Sequence, residues 1–251
     1  MSNTYFPEEF LEKLESAQNI VFFTGAGISA ESGVPTFRGK EGIWNKLKPE
    51  ELANFDAFLR NTDMVWEWYQ HRRKIVREAQ PNHAHSAIAE FQKFYPNVTV
   101  VTQNVDNLHK RAGSKKFYEL HGNIERNYCI DCKEWYNDIE IDDSKKGAIK
   151  CKCGGLIRPD VVWFGEYLPQ DEFQNSEIEA SKSDICFVVG TSAVVYPAAY
   201  IPITAKQTGS YLVEINIEST EFSKTADHSF FGEAGKTLPK VLEEVKKLKN
   251  S

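Results

Sequence analysis

A glycine-rich segment follows the first apolar run of the chain. Residues 20–23 are typical of a buried parallel strand, and Gly25, Gly27 and Ala30 come directly after them in a Gly-x-Gly-x-x-Ala spacing. A strand followed by a tight glycine turn brings backbone N–H groups against a pyrophosphate in α/β proteins. Pro35 and the nearby glycines exclude the long helix that an ordinary dehydrogenase has at this point. Residues 25–39 therefore predict a nucleotide site with a loop laid over it.

Four of the five cysteines form two close pairs. Two residues separate Cys129 from Cys132. After eighteen more residues come Cys151 and Cys153, which one residue separates and two glycines follow. Four thiolates suit tetrahedral Zn²⁺, and four cysteine ligands leave no coordination position open for a substrate. The spacing predicts one structural zinc, with incidental thiols or a redox pair at Cys129 and Cys132 as alternatives. Cys186 lies inside a strand pattern and is predicted to be a buried core thiol.

Apolar runs alternate with helical patterns along most of the chain. We predict helices over residues 64–79, over 84–95 and near the C-terminus, and strands over residues 20–24, 98–102, 117–120, 185–190 and 211–215. This alternation predicts an α/β fold with a doubly wound parallel sheet. Two stretches do not fit it, and they predict a smaller second domain made of residues 36–80 and 124–164. The larger domain then comprises residues 1–35, 81–123 and 165–251, with the active site in the cleft near the carboxyl ends of the strands.

The composition is that of an ordinary globular protein. The chain has 251 residues, of which 41% are hydrophobic and 26% are charged, and its net charge is −6. This charge gives no general attraction to nucleic acid, so no direct nucleic-acid binding is expected. Apolar runs fall well short of the roughly 18 residues of a membrane span, and the first residues lack the pattern of a secretion signal. We therefore expect a cytoplasmic protein that does not bind a membrane.

Several separated motifs occur in one order along the chain. After residues 25–39 come Thr-Gln-Asn-Val-Asp-Asn-Leu-His at 102–109, Leu-His-Gly at 120–122, the cysteine pairs, Pro-Asp-Val-Val-Trp-Phe-Gly-Glu at 159–166, Gly-Thr-Ser at 190–192 and Glu-Ile-Asn-Ile-Glu at 214–218. This order closely resembles the sirtuins, the NAD-dependent protein-lysine deacylases, over nearly the whole chain. The resemblance implies a Rossmann-like NAD-binding domain, a small zinc and helical domain, and a monomer. NAD and an acyl-lysine peptide would enter the cleft from opposite sides.

The resemblance also implies which residues bind NAD. They are Gly25, Ala26 and Gly27 at the pyrophosphate; Phe37 and Arg38 on the loop over the reactive ribose; Gln103, Asn104, Val105 and Asp106 at the ribose and nicotinamide; Gly190, Thr191, Ser192, Asn216 and Ile217 at the adenosine half; and Ala234 near the adenine.

His121 is predicted to be the catalytic base, together with Asn104 as the second catalytic residue. The implied reaction holds an amide oxygen against C1′ of the ribose while nicotinamide leaves, and it then needs a base for the ribose 2′-hydroxyl. Histidine has the side-chain pKa nearest neutrality, and His121 is the histidine that follows a strand and precedes a glycine at the cleft. The products would be free lysine, nicotinamide and O-acyl-ADP-ribose. The other histidines are expected to be surface or capping residues (His83, His85), structural (His109), or without a role (His71, His228).

Tyr69 and Arg72 lie three residues apart in a helical pattern, so they share one helix face. In an arbitrary helix such a pair is a core tyrosine beside a solvated arginine. At this point of the chain, Tyr-x-x-Arg resembles the motif of the sirtuin branch that removes succinyl and malonyl groups. In that branch the arginine binds the distal carboxylate of the acyl group. The resemblance implies that this branch's substrates are favoured, with deacetylation as a second activity. It also implies that a short strand pairs with the substrate peptide and walls the acyl-lysine tunnel, with the residues Val161, Val162, Trp163 and Phe164.

Three other readings stay open from the sequence. A deacetylase without acidic-acyl preference would have the same motifs. A mono-ADP-ribosyltransferase also cleaves NAD at C1′ but passes ADP-ribose to a protein. A non-catalytic module would bind NAD or ADP-ribose, although His121 and Asn104 would then have no function.

Overall fold

Six parallel strands form the central sheet of the computed structural model, which describes residues 6–37, 43, 48–136 and 147–250. In spatial order they are β3 (Phe117–Glu119), β2 (Asn97–Thr102), β1 (Asn19–Thr24), β7 (Ile185–Val189), β8 (Tyr211–Asn216) and β9 (His228–Phe231). Every neighbouring pair is parallel. Strands β1, β2 and β3 follow one another toward one edge of the sheet, and β7, β8 and β9 follow one another toward the other edge. The direction of strand addition therefore reverses between β1 and β7. Ligands of open α/β sheets bind at this switch point, outside the carboxyl ends of the strands.

The predicted doubly wound sheet is confirmed, and the five predicted strands agree with the observed bounds within one residue. The prediction missed β9, which begins at His228. In this four-residue edge strand Phe230 is the buried residue and its neighbours are not, so the strand lacks the apolar run that marks the central strands.

Helices cover both faces of the sheet. One face packs against α1 (Glu8–Ser16), α6 (His83–Phe91) and α10 (Ala234–Asn250) through a cluster that includes Phe22, Ile88 and Phe187. The other face packs against α8 (Gln170–Ser181) and α9 (Tyr200–Gln207). Helix α6 is shorter than predicted, because residues 92–94 continue as turns after Phe91. Among the described helices, none is long and apolar enough to cross a membrane.

A second, smaller layer contains the helical insertion and the cysteines. Its antiparallel sheet has the order β5 (Trp135–Tyr136), β4 (Gly122–Cys129) and β6 (Ile157–Val161). The helices α3 (Pro49–Leu52), α4 (Phe55–Arg60) and α5 (Thr62–Glu78) lie beside this sheet. A separate core of Phe58, Val65, Tyr69, Ile124 and Trp163 joins helices and strands. The predicted combination of a parallel sheet with a smaller cysteine-containing and helical part is confirmed.

Two short helices begin in the turns after the central strands. α2 (Gly27–Ala30) follows β1, and α7 (Leu108–Arg111) follows β2. Because both lie at the carboxyl edge of the sheet, they bring the predicted nucleotide-binding residues to the switch point.

Candidate active site

The turns after β1 and β7 contact each other through glycines. Gly25 N donates to Val189 O over 3.0 Å, and Gly27 N donates to Gly190 O over 2.8 Å. A Cβ on Gly27 would lie 2.7 Å from Gly190 O, which no ordinary packing allows. The glycines are therefore required where one turn meets the other. The backbone amides of Gly25 and Gly27 are therefore already used as donors. Of the three consecutive amides at residues 25–27, that of Ala26 has no backbone acceptor in the described part of the chain.

A buried polar network follows β2. The Asn104 side-chain amide donates to Gly25 O and to Ser29 Oγ, each over 3.1 Å, and Ser29 Oγ donates to Asp106 Oδ2 over 2.7 Å. Leu108 N donates to the other carboxylate oxygen of Asp106. Burial raises the pKa of Asp106, and these hydrogen bonds oppose the rise. The network fixes the Asn104 side chain in place. Sequence reasoning missed Ser29, although it lies inside the glycine-rich segment two residues after Gly27.

His121 lies between this network and the second sheet. Its Nδ1 is 3.0 Å from Gln103 O, a contact that requires a proton on Nδ1 and so leaves Nε2 of the neutral ring as an acceptor. Burial lowers the pKa of His121, although the bond to Gln103 opposes this. The ring is therefore neutral, and able to take a proton, at physiological pH. Gly122 follows with φ +78°, and a Cβ there would collide with Asp160 O.

The residues predicted for the adenosine half lie in the turns after β7 and β8. Gln103 Nε2 donates to Thr191 Oγ1 over 3.0 Å, and the Asn216 amide donates to Thr191 O over 3.1 Å. Ile217, the residue after Asn216, exposes 71% of its surface. The remaining residues predicted to bind NAD lie as follows. Val105 is buried after β2, Ser192 is partly buried after β7, and Ala234 is the first residue of α10.

Tyr69 and Trp163 meet in the core that joins the inserted helices to the second sheet, and Arg72 lies three residues after Tyr69 on α5. Trp163 Nε1 donates to Tyr69 Oη over 2.7 Å, and both side chains are buried. Arg72 is only 5% exposed, so it is not the solvated arginine of an ordinary helix surface. Its guanidinium lies 4.6 Å from the centre of the Phe37 ring and 5.3 Å from Trp68. Within the described residues, no carboxylate lies at ion-pair distance from it, and burial lowers its pKa.

The predicted peptide-binding segment begins at the end of β6. Val161 is the last residue of that strand, and Val162 N donates to His121 O over 3.0 Å. Phe164 N donates to Ala53 O, and the Phe164 side chain is 46% exposed. The segment therefore runs from beside the histidine to the helical insertion. Phe37 ends the described part of the covering loop, and Arg38 lies outside the described residues.

The four cysteine sulfurs form one cluster. All Sγ atoms lie within 4.8 Å of one another, and the Cys129–Cys153 and Cys132–Cys151 sulfurs are 3.6 and 3.5 Å apart. Four sulfurs at about 2.3 Å from a tetrahedral Zn²⁺ have nearly this spacing, so the residues fit a structural zinc. Tyr136 Oη lies 3.1 Å from Cys151 Sγ and is placed to donate to a ligand thiolate. Cys186 is remote and buried, as predicted, and burial raises its pKa to about 12.

Two further histidines, on α6 and α7, are buried near the turns that contain the predicted nucleotide-binding residues. His85 and His109 are both buried with ring centres 4.8 Å apart, so of the two alternatives predicted for His85, surface or capping, the surface position is excluded. Its capping role is present, because Asn82 N donates to His85 Nδ1 over 3.3 Å. His109 Nε2 lies 2.9 Å from Thr24 Oγ1, which agrees with a structural role. Burial lowers the pKa of His85 to about 4.

Comparisons with known proteins agree with this arrangement. The model of the Sir2 family matches residues 25–197. The NAD-dependent protein deacylase of Pyrococcus abyssi is 48% identical over 245 residues, which cover 96% of this chain and 98% of that protein. The NAD-dependent protein deacylase 2 of Pyrobaculum aerophilum is 50% identical and covers 93% of this chain and 94% of its own length.

Solved structures give the same result. A Sir2 homologue in complex with NAD superposes with a TM-score of 0.89 at 42% identity, covering 98% of this chain and 96% of that one. A Sir2 complex with a p53 peptide and NAD⁺ superposes with a TM-score of 0.86 at 34% identity, over 96% and 98% of the two chains. The chain described here therefore belongs to the Sir2 family.

Proposed function

We propose that this protein is an NAD-dependent protein-lysine deacylase that releases nicotinamide, O-acyl-ADP-ribose and free lysine. The observation that carries the proposal is His121, whose Nδ1 is held by Gln103 O so that its Nε2 is a proton acceptor at the carboxyl edge of the sheet. Family membership and the deacylase names of the relatives support it.

NAD would bind as a co-substrate along the carboxyl edge of the sheet. Its adenosine would lie by Thr191 and Asn216, and its pyrophosphate by the Ala26 amide. Asn104 and Asp106, held by Ser29, would orient the ribose and the nicotinamide amide. His121 would then take the proton of the ribose hydroxyl as that oxygen attacks the acyl carbon. The zinc would keep the small domain folded and would take no part in the chemistry.

We also propose the two-domain division that the sequence suggests, with residues 36–80 and 124–164 as the small domain. The acyl-lysine peptide would lie in the cleft along residues 161–164, which are bonded on one side to His121 O and on the other to Ala53 O. The acyl chain would then run from His121 toward Tyr69 and Arg72. We propose that a monomer is the active form.

The favoured acyl groups are succinyl and malonyl, with acetyl as a second substrate. A buried guanidinium is costly to leave without a paired counter-charge, and Arg72 forms no ion pair among the described residues. Aromatic rings lie beside its guanidinium, and the buried Asp106 attracts it only from beyond ion-pair distance. The carboxylate of an acidic acyl group would supply that charge. Tyr69 Oη accepts from Trp163 and keeps its own proton, because burial raises the pKa of Tyr69, so it has a hydrogen bond to donate to the same carboxylate.

The experiment measures nicotinamide release from NAD with matched succinyl-lysine and acetyl-lysine peptides. Replacing Arg72 by Met should lower kcat/KM for succinyl-lysine about 10- to 100-fold, as expected for a lost charged hydrogen bond, and change the acetyl value by less than about threefold. Lys74→Met is the matched control, because Lys74 is exposed on the same helix.

Each outcome of this experiment has one meaning. Equal losses on both peptides would contradict the carboxylate clamp and leave a deacetylase without acidic preference. Absence of nicotinamide release from NAD with both peptides would contradict deacylation itself. In that case, transfer of the adenylate label of NAD to protein would identify a mono-ADP-ribosyltransferase, and binding without cleavage would identify a non-catalytic module.

A further inference from the structure

Arg73 is the residue after Arg72 on α5, but its guanidinium lies on another side of the helix. The side chain is 1% exposed, which makes it one of the most deeply buried charged groups described. Its Nε donates to Ile124 O over 2.8 Å, and its two terminal nitrogens donate to Gln70 Oε1 and Asn127 Oδ1, each over 2.6 Å. Among the described residues, all its hydrogen-bond acceptors are neutral.

Two of these acceptors belong to β4 rather than to α5. Ile124 and Asn127 lie on β4, which begins at Gly122, the residue after His121. Arg73 itself lies on α5, one position after Arg72 and four after Tyr69. A single planar guanidinium therefore joins the helix of the acyl-carboxylate residues to the strand that continues from the catalytic histidine. Its fork geometry fixes both the separation and the rotation of the two elements.

The chemistry of Arg73 indicates that this side chain positions α5 and β4 relative to each other, and that stabilising the fold is not its main role. The Arg73 guanidinium loses its hydration although its hydrogen-bond acceptors among the described residues are all neutral, and Glu125 attracts it without forming an ion pair there. Apolar residues of similar volume often stabilise a fold as well as such a buried charge, or better. Burial also lowers the pKa of Arg73 to about 10. What a planar fork supplies and an apolar side chain does not is directional bonding to two separate elements.

We propose that Arg73 is a positioning residue that sets which length of carboxylated acyl chain the enzyme accepts. This inference rests on the proposed function, in which the acyl chain spans from His121 to Arg72. Because Arg73 ties α5 to β4, it fixes how far Arg72 lies from the reacting end of that chain. A shift of the helix along the strand would move the carboxylate-binding groups relative to His121.

The test compares kcat/KM for acetyl-, malonyl-, succinyl- and glutaryl-lysine peptides. Arg73→Lys keeps the charge but lacks the planar fork, and Asn127→Ala removes one acceptor from β4 while leaving α5 intact. In both variants, the ratio of the best to the worst carboxylated acyl group should fall at least about fivefold, with the loss in KM, while acetyl-lysine turnover stays within about threefold. Lys74→Gln, exposed on the same helix, should preserve the wild-type series.

ADP-ribose binding by each variant reports whether the nucleotide-binding part is folded. If Arg73→Lys does not fold, the acyl-length series of Asn127→Ala alone tests the inference. A uniform decrease on all four peptides, or an unchanged preference for one length, would overturn the inference alone. A wild-type enzyme without preference for any carboxylated acyl group would overturn the proposed function, and the inference with it.

Discussion

The proposed nucleotide side and the proposed acyl side of the site are built by different means. The nucleotide side consists of turns that follow parallel strands, and its tightest contacts are between backbones, as where Gly27 meets Gly190. The polar side chains here are held by one another, as Asn104 and Asp106 are by Ser29. Because the topology of the sheet brings these turns together, the position of each group is a property of the backbone.

The acyl side is built from side chains of an inserted helix and an antiparallel sheet. Tyr69 and Arg72 lie on α5, and Trp163 follows β6. Arg158 stacks 3.5 Å from the centre of the Trp163 ring and pairs with Glu166. In the proposed function, a single substitution here changes what the acyl group contacts, and the backbone contacts between the turns after β1 and β7 contain none of these residues. The contrast teaches that the chemistry common to all substrates and the choice among substrates have separate structural origins.

The largest effect that would sharpen this contrast is expected at His121. Since the base acts on the ribose and not on the acyl chain, His121→Ala should lower kcat by about 10²- to 10⁴-fold for succinyl-lysine and acetyl-lysine alike. Single-turnover assays with both peptides check this, and ADP-ribose binding within about threefold of wild type is the control for folding. A loss confined to one acyl group would contradict the separation of the two sides.

A second difference is that buried histidines lie behind the nucleotide side, while the buried cations of the acyl side are arginines. The pKa of His85 is about 4 in the folded protein, against about 6.5 in an unfolded chain. Between these values the unfolded state binds more protons, so the free energy of unfolding falls as the pH is lowered from about 6.5 to 4. The full loss from this one group is about 3 kcal/mol, of which about 2 kcal/mol has occurred by pH 5. His109, whose pKa burial also lowers, adds to the effect.

Urea unfolding at pH 7.5 and pH 5.0 tests this acid sensitivity. His85→Gln should reduce the difference in unfolding free energy between the two pH values by about 2 kcal/mol. His71→Gln, at an exposed position on α5, should leave the difference unchanged. If both variants kept the full difference, the acid sensitivity would originate elsewhere in the molecule.

The same contrast explains what could be predicted from the sequence. The central strands are apolar runs and the zinc ligands are four cysteines in close pairs, so composition and spacing were sufficient for both. Ser29, His85 and β9 were missed or misplaced because their burial or pairing depends on elements distant in the chain. Adjacent arginines such as Arg72 and Arg73 are usually solvated, and what buries both is the packing of an inserted helix against a second sheet, which no local pattern encodes.

The smallest effect that distinguishes the two sides is expected at the Tyr69 hydroxyl. Tyr69→Phe keeps the ring but removes the donor to the acyl carboxylate, so kcat/KM for succinyl-lysine should fall about fivefold, or about 1 kcal/mol, with little change for acetyl-lysine.

The substitution also removes the acceptor of Trp163 Nε1, and this cost lowers stability whichever acyl group is bound. Thermal unfolding of the free enzyme measures that part, and the ratio of the two kcat/KM values isolates the rest. A fivefold loss on both peptides would mean that the hydroxyl serves only to hold Trp163. A loss on succinyl-lysine alone would mean that the Tyr69 hydroxyl both holds Trp163 and donates a hydrogen bond to the carboxylate at the end of the acyl chain.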